Sequence, residues 1–338
     1  MRIKLLLIIV VAGLSARSQN ENGLVNWLTI KEAQEKNKTA PKPFLIDFYT
    51  DWCGWCKHMM KTTYSNPGLA GYINQNFYPV KFNAETKDTV EYQGQKYFST
   101  STAPKTPHQL ALKFLGNNLS YPSTVFVTNN YEYNLLTQGF LDEKKIEPVL
   151  IYILENVYRS CPFEDFSAGF NHAFYDTVYA KTPVKSYSVK EVLELNKKKP
   201  KKILVNLYTN FCNSCKVQKA TTFSDTLIAN YINKNFYLVN FDAESNDTIL
   251  FNGKKHFKQV VNGYPFNTFA VEVTAGRFAL PAVAILDEKL QVIDVLQTYQ
   301  NPKSLKPILY FFGSDQYKTK KWTDFIAEYN NPTPKKAK

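Results

Sequence analysis

Four of the five cysteines fall into two pairs of equal spacing, Cys53 and Cys56 in "DFYTDWCGWCK" and Cys212 and Cys215 in "NLYTNFCNSCK". Two sulfurs separated by two residues can clamp a metal, form a structural bridge or exchange disulfides. Zinc ribbons place their paired CxxC motifs roughly 15 to 20 residues apart. Here the pairs lie 159 residues apart, and each follows its own apolar run. No metal is expected. Exchange has a physical basis. "PFLIDFYT" and "KILVNLYT" are short, apolar and rich in strand formers, as strands buried on both faces require. A helix opening at the first cysteine would aim its unpaired backbone N–H groups and positive end at that sulfur and favour the thiolate. That thiolate attacks a disulfide, and the second cysteine, one helical turn on, resolves the mixed disulfide. Cys53 and Cys212 are the expected nucleophiles, and Cys56 and Cys215 the expected resolving thiols.

The elements that position these sulfurs are written twice. A constant displacement of 159 carries Cys53 to Cys212, Glu85 to Glu244, Gly94 to Gly253 and Pro122 to Pro281 without a gap. Each copy opens at a Thr or Ser (Thr29, Ser188) three residues before a Glu (Glu32, Glu191), the spacing of a capping box. Strand, helix, strand, hairpin and closing helix then follow, which predicts an α/β fold with a mixed central sheet flanked by helices. Copies of this length are complete domains rather than solenoid repeats. The expected organisation is a signal peptide over 1–18, a first domain over 19–175, a linker over 176–184, a second domain over 185–330 and a disordered tail over 331–338.

"FLIDFYTDWCGWCK" resembles the active-site strand and helix start of the thioredoxin superfamily, and "YPSTVFV" and "LPAVAIL" resemble its cis-proline strand. The likeness covers both copies and is nearest to exported bacterial thioredoxin-like proteins with a "WCGWCK" site. It implies two tandem thioredoxin-like folds in which Tyr121-Pro122 and Leu280-Pro281 lie beside the CxxC and offer backbone hydrogen bonds to a substrate chain. It also implies that Asp47 and Lys81 assist proton transfer at the resolving thiol of the first site. Asn206 and Asn240 stand at those places in the second copy. Both members of the charged pair are neutral together, as burial demands, and an asparagine takes no proton from Cys215. The first site is therefore expected to turn over faster. Some 37 residues separate Glu85 from Pro122, more than in a minimal thioredoxin. The extra segment is expected to form a hairpin and a helix near the site.

Trp52 and Trp55, echoed by Phe211, are expected to form an apolar rim for substrate, with core packing the alternative for Trp52. His58 follows the first CxxC on its helix, and Val217 replaces it in the second copy. His108, His172 and His256 have no ligand spacing, and Cys161 lies outside the shared framework.

The first residues, "MRIKLLLIIVVAGLSARSQN", have the layout of a secretory signal, and their apolar run is too short to span a bilayer. A periplasmic or secreted location follows. The formal charge of +12 is spread along the chain apart from "KKKPKK" at 197–202, which is expected to solvate a loop. No nucleic-acid motif accompanies it, and nucleic acid is not an expected partner. The expected function is thiol-disulfide exchange with protein substrates. It would use no cofactor beyond the Cys53–Cys56 and Cys212–Cys215 disulfides, in a monomer served by a membrane redox partner. The alternative is a client-binding module whose disulfides are inert.

Overall fold

The computed structural model describes residues 23–176, 184–261 and 263–331. The expected signal segment, most of the linker and most of the tail lie outside the described residues. The chain forms two compact units that divide between Glu143 and Lys144. The sequence boundary near residue 175 follows the repeat, whereas packing groups the closing helices of the first copy with the second unit.

In the first unit, Thr29 caps α1 (Ile30–Thr39) in a complete capping box with Glu32. β1 (Phe44–Tyr49) leads into α2 (Gly54–Lys61). Asn66 and Pro67 then start α3 (Pro67–Asn76), and β2 (Tyr78–Asn83) follows. The segment between Glu85 and Pro122 forms a hairpin of β3 (Val90–Tyr92) and β4 (Gln95–Tyr97), then α4 (Gln109–Leu115), as the sequence suggested. β5 (Ser123–Val127) and β6 (Asn134–Gln138) complete a mixed sheet of order β2-β1-β5-β6, with β1 parallel to β2 and antiparallel to β5. Alternation along β1 sets its two faces. Phe44, Ile46 and Phe48 enter the core cluster with Ile30, Leu110 and Val125, which turns Leu45 and Asp47 to the opposite face.

The second unit begins with α5 (Glu143–Leu154) and α6 (Phe163–Tyr175). Beyond them the fold of the first unit recurs. β7 (Ser186–Tyr187) precedes α7 (Val189–Lys198), which has the Ser188–Glu191 capping box. β8 (Lys202–Tyr208), α8 (Asn213–Thr221), α9 (Thr226–Asn235) and β9 (Phe236–Asp242) follow. The inserted region holds β10 (Ile249–Phe251) with β11 (Lys254–His256), a second hairpin of β12 (Lys258–Val261) with β13 (Tyr264–Asn267), and α10 (Thr268–Val273). β14 (Ala282–Leu286), β15 (Val292–Gln297), α11 (Pro302–Gly313) and α12 (Trp322–Asn330) end the unit. The sheet order is β15-β14-β8-β9-β7. The lysine run is not wholly solvated. Lys202 is buried, with its Nζ 2.8 Å from carboxylate oxygens of both Glu288 and Asp315.

α6 packs on α8 at Gly169, where a Cβ would stand 3.3 Å from both Thr221 Cγ2 and Val217 Cγ1. A larger side chain there would hold the helices apart. Among the described residues no helix is long and apolar enough to cross a membrane.

Candidate active site

Each CxxC sits where its strand runs into its helix. Cys53 is the N-cap of α2, and its Sγ accepts a hydrogen bond from the Cys56 amide at 3.0 Å. Cys212 caps α8 in the same way, at 3.2 Å from the Cys215 amide. Both pairs form disulfides with Cα atoms 5.3 Å apart, and all four cysteines are buried. The peptide bonds Tyr121-Pro122 and Leu280-Pro281 are both cis, as the resemblance implied.

Around the first site the aromatic residues stand outward. Trp52 is 56% exposed and Trp55 63%, so Trp52 belongs to a rim and not to the core. Trp52 donates Nε1–H to Glu85 Oε1 at 3.0 Å, meets the Tyr121 ring edge-on at 6.1 Å and lies under the Lys105 ammonium. Trp55 packs instead with His58 and Phe140, at 5.6 Å from each ring. A cleft of about 500 Å³ reaches Cys56 and is lined by Tyr49, Thr50, Met60 and Lys81 among others.

Asp47 on β1 pairs in register with Lys81 on β2, a residue of the cleft lining, and with Thr124 on β5. Its side chain is fully buried, and neither carboxylate oxygen has a partner within hydrogen-bond geometry. Burial pushes the carboxyl up to about 7, against the field of Lys81 and the nearby hydroxyls of Thr124 and Tyr64. Such a group exchanges protons near neutral pH, as a base or acid serving a thiol must.

The second unit replaces this whole polar shell. Asn206 Nδ2 donates to Asn240 Oδ1 at 3.0 Å, and Gln218 Nε2 donates to Asn206 Oδ1 at 3.3 Å. Gln218 Oε1 in turn accepts the Gln300 amide at 2.7 Å. At the displacement of 159, Val283 stands for Thr124, Phe223 for Tyr64 and Gln218 for Met59. A neutral amide network thus takes the place of one buried carboxylate, and no group in it can take a proton from Cys215. Phe211 is exposed like Trp52, and Leu280, like Tyr121, is half-buried and packs against the core of its unit.

One feature of the second site has no forerunner in the sequence reading. Glu155, just past α5, accepts hydrogen bonds from the Asn213 amide at 3.1 Å, the Ser214 amide at 2.8 Å and the Ser214 hydroxyl. One of its oxygens lies 3.9 Å from Cys212 Sγ. Ser214 is fully buried beneath it, whereas the matching Trp55 of the first site is open to solvent.

His108 caps α4, accepting the Leu110 amide, and His172 pairs with Asp176 at 2.8 Å. Cys161 is buried with Asn301 Nδ2 at 3.3 Å from its sulfur, and burial pushes its thiol up to about 11. Among the described residues no cluster of three or more His, Cys, Asp or Glu could hold a metal ion.

The strand order, the cis-prolines and the capped CxxC helices define two thioredoxin-like domains in tandem. Family models agree. Residues 15–160 match the Thioredox_DsbH model, described as a protein of unknown function, DUF255, and residues 185–287 match the Thioredoxin_7 model, described as thioredoxin-like. Among curated proteins, the chain is 33% identical over 63 residues to the thiol:disulfide interchange protein DsbD of two Vibrio vulnificus strains, CMCP6 and YJ016. That stretch is 17% of this chain and only 11% and 10% of those relatives. Solved structures with a likeness include a DsbH oxidoreductase (19% identity, 34% of this chain and 72% of that one, TM-score 0.25). The C-terminal domain of Neisseria meningitidis DsbD in its oxidised form is another (24% identity, 34% and 84%, TM-score 0.25). At these scores the superpositions add nothing to the fold, which the strand order and the family models define.

Proposed function

We propose that the chain is an exported thiol-disulfide oxidoreductase acting on protein substrates, with Cys53–Cys56 as its main turnover site. The observation that carries this reading is the buried Asp47 beside Lys81 in the first unit, set against the Asn206–Asn240 hydrogen bond in the second. The similarity to DsbD and DsbH supports the reaction class, and the layout of the first residues supports export.

With the first site reduced, the Cys53 thiolate attacks one sulfur of a substrate disulfide and expels the other as a thiolate, which takes up a proton. Cys56 then loses its proton towards Asp47 and attacks Cys53 Sγ. The second substrate thiolate leaves, and the Cys53–Cys56 disulfide forms with two electrons delivered. Run backwards, the same steps oxidise a dithiol. As a reductase, the chain needs a dithiol donor, for which a membrane redox partner is the proposed source. Trp52, Trp55 and Tyr121 supply an apolar surface for the substrate chain, and the backbone beside Pro122 supplies hydrogen bonds.

Insulin reduction by dithiothreitol tests the reading. The protein accelerates precipitation, Cys53→Ser removes most of the acceleration, and Cys212→Ser leaves most of it. No acceleration by the unaltered chain, with disulfides that resist glutathione, would favour the client-binding alternative. Trp52→Ala and Trp55→Ala each raise KM for insulin about tenfold, the equivalent of 1.4 kcal/mol for an aromatic contact. Their rates with glutathione disulfide, which is too small to need the rim, stay within about threefold of the parent.

A further inference from the structure

We propose that Glu155 sets the reactivity of the second CxxC: its carboxylate occupies the Asn213 and Ser214 amides, leaving only the Cys215 amide on Cys212 Sγ, and its charge beside that sulfur keeps Cys212 a thiol. The inference rests on the reading that Cys212–Cys215 can exchange disulfides, and adds the residue that restrains it.

A thiolate at a helix N-terminus is favoured by free N–H groups and the positive end of the dipole. In the first site Gly54 and Trp55 carry these first helical amides, and Trp55 stands exposed beside them. In the second site the amides of Asn213 and Ser214 both point at Glu155. An anion is already installed where the thiolate would find its stabilisation. It lies 3.9 Å from Cys212 Sγ, within the range where a like charge disfavours ionisation. The pair therefore holds one negative charge and one proton. Three donors to the carboxylate oxygens favour placing the charge on Glu155 and the proton on sulfur.

The surroundings are shaped for this contact. Ser214 replaces the bulky Trp55 and supplies the third donor. Val217, buried, replaces His58 on the face of α8 that α6 covers. Asn156 carries its left-handed turn just after Glu155, and its carbonyl accepts the Thr298 hydroxyl at 3.3 Å. Ser160 hydrogen-bonds to the Tyr299 carbonyl a few residues further on. The segment from 155 to 160 is thus fastened beside the second site at both ends. Burial raises the Glu155 carboxyl, and the Ser214 hydroxyl, the Ser214 and Asn213 amides and the Lys216 ammonium act against that rise. The repeat places Ser314 opposite Glu155, so the carboxylate is not part of the framework the two copies share.

The test uses the full chain carrying Cys53→Ser and Cys56→Ser, reduced, with thiolate read by its absorbance near 240 nm against pH. Cys161, whose thiol is pushed up to about 11, stays silent around neutrality. Adding Glu155→Gln removes the charge at nearly constant shape, and the thiolate fraction at pH 7 rises about tenfold or more, with a matching rise in alkylation by iodoacetamide. Glu155→Ala gives the same direction, and near-ultraviolet circular dichroism identifies any variant that has lost its packing. An unchanged or smaller thiolate fraction in a folded Gln variant overturns the proposal, since it would make the carboxylate indifferent or a proton acceptor. A raised thiolate fraction without any reduction of insulin by this site upholds the role of Glu155 and removes the second site from the proposed function. Brisk exchange with identical thiolate fractions upholds the function and removes Glu155.

Discussion

Asp47→Asn lowers the rate of exchange through the first site by about 10² to 10⁴, the usual cost of losing a general base, and at the same time stabilises the first unit at alkaline pH. The two effects share one cause. Asp47 is buried without a hydrogen-bond partner, and burial raises its carboxyl from 3.8 to about 7. Because the folded value lies above the unfolded one, the folded chain binds the extra proton between pH 4 and pH 7. The stability tied to this group is complete below about pH 4 and is lost as pH rises through 7. At pH 8 the charged carboxylate costs the fold on the order of 4 kcal/mol. An asparagine has no such charge, although its unmet amide takes back about 1 kcal/mol. Urea denaturation at pH 8 should show Asp47→Asn more stable by about 3 kcal/mol, with the gain gone at pH 4. A variant that is less stable at pH 8, or equally active, would mean that the carboxylate is not held for proton transfer.

The reciprocal change, Asn206→Asp, is expected to destabilise the second unit by about 3 to 5 kcal/mol at pH 8, the cost of an unpaired buried charge. It would break the Asn206–Asn240 and Gln218–Asn206 hydrogen bonds. The side chain would meet Val283 and Phe223, where Asp47 has Thr124 and Tyr64. The loss shrinks on acidification, since a carboxyl raised by burial takes up its proton and becomes neutral. Denaturation midpoints at pH 8 and pH 5 read this directly. Equal stability at pH 8 would mean that water reaches the position and that the amide network is not the sealed counterpart of the first site.

Much of this was legible in the residues because the chain states its fold twice. Thr29 with Glu32 and Ser188 with Glu191 mark two helix starts, and apolar runs directly before Cys53 and Cys212 mark the strands that deliver them. The exchange of Asp47 and Lys81 for Asn206 and Asn240 could be read before any coordinates, since matched substitutions report matched contacts. Glu155 could not. Its effect depends on α6 settling against α8, a packing of elements that the repeat assigns to different copies. Two substitutions carried a trace of it: Ser214 for Trp55 and Val217 for His58 both exchange a large rim residue for one that tolerates cover. Gly169 carried another, since Glu328 stands at its place in the repeat and would forbid so close an approach. The lysine run misled for a related reason, because Lys202 finds its partners in Glu288 and Asp315, some 86 and 113 residues away.

The division of labour between the sites is tested most directly by stopped-flow exchange with one protein disulfide at pH 7. One chain keeps only Cys53–Cys56, through Cys212→Ser and Cys215→Ser, and the other keeps only Cys212–Cys215, through Cys53→Ser and Cys56→Ser. The expected result is that the first reacts at least about 10²-fold faster than the second. Equal rates from the two chains would contradict it.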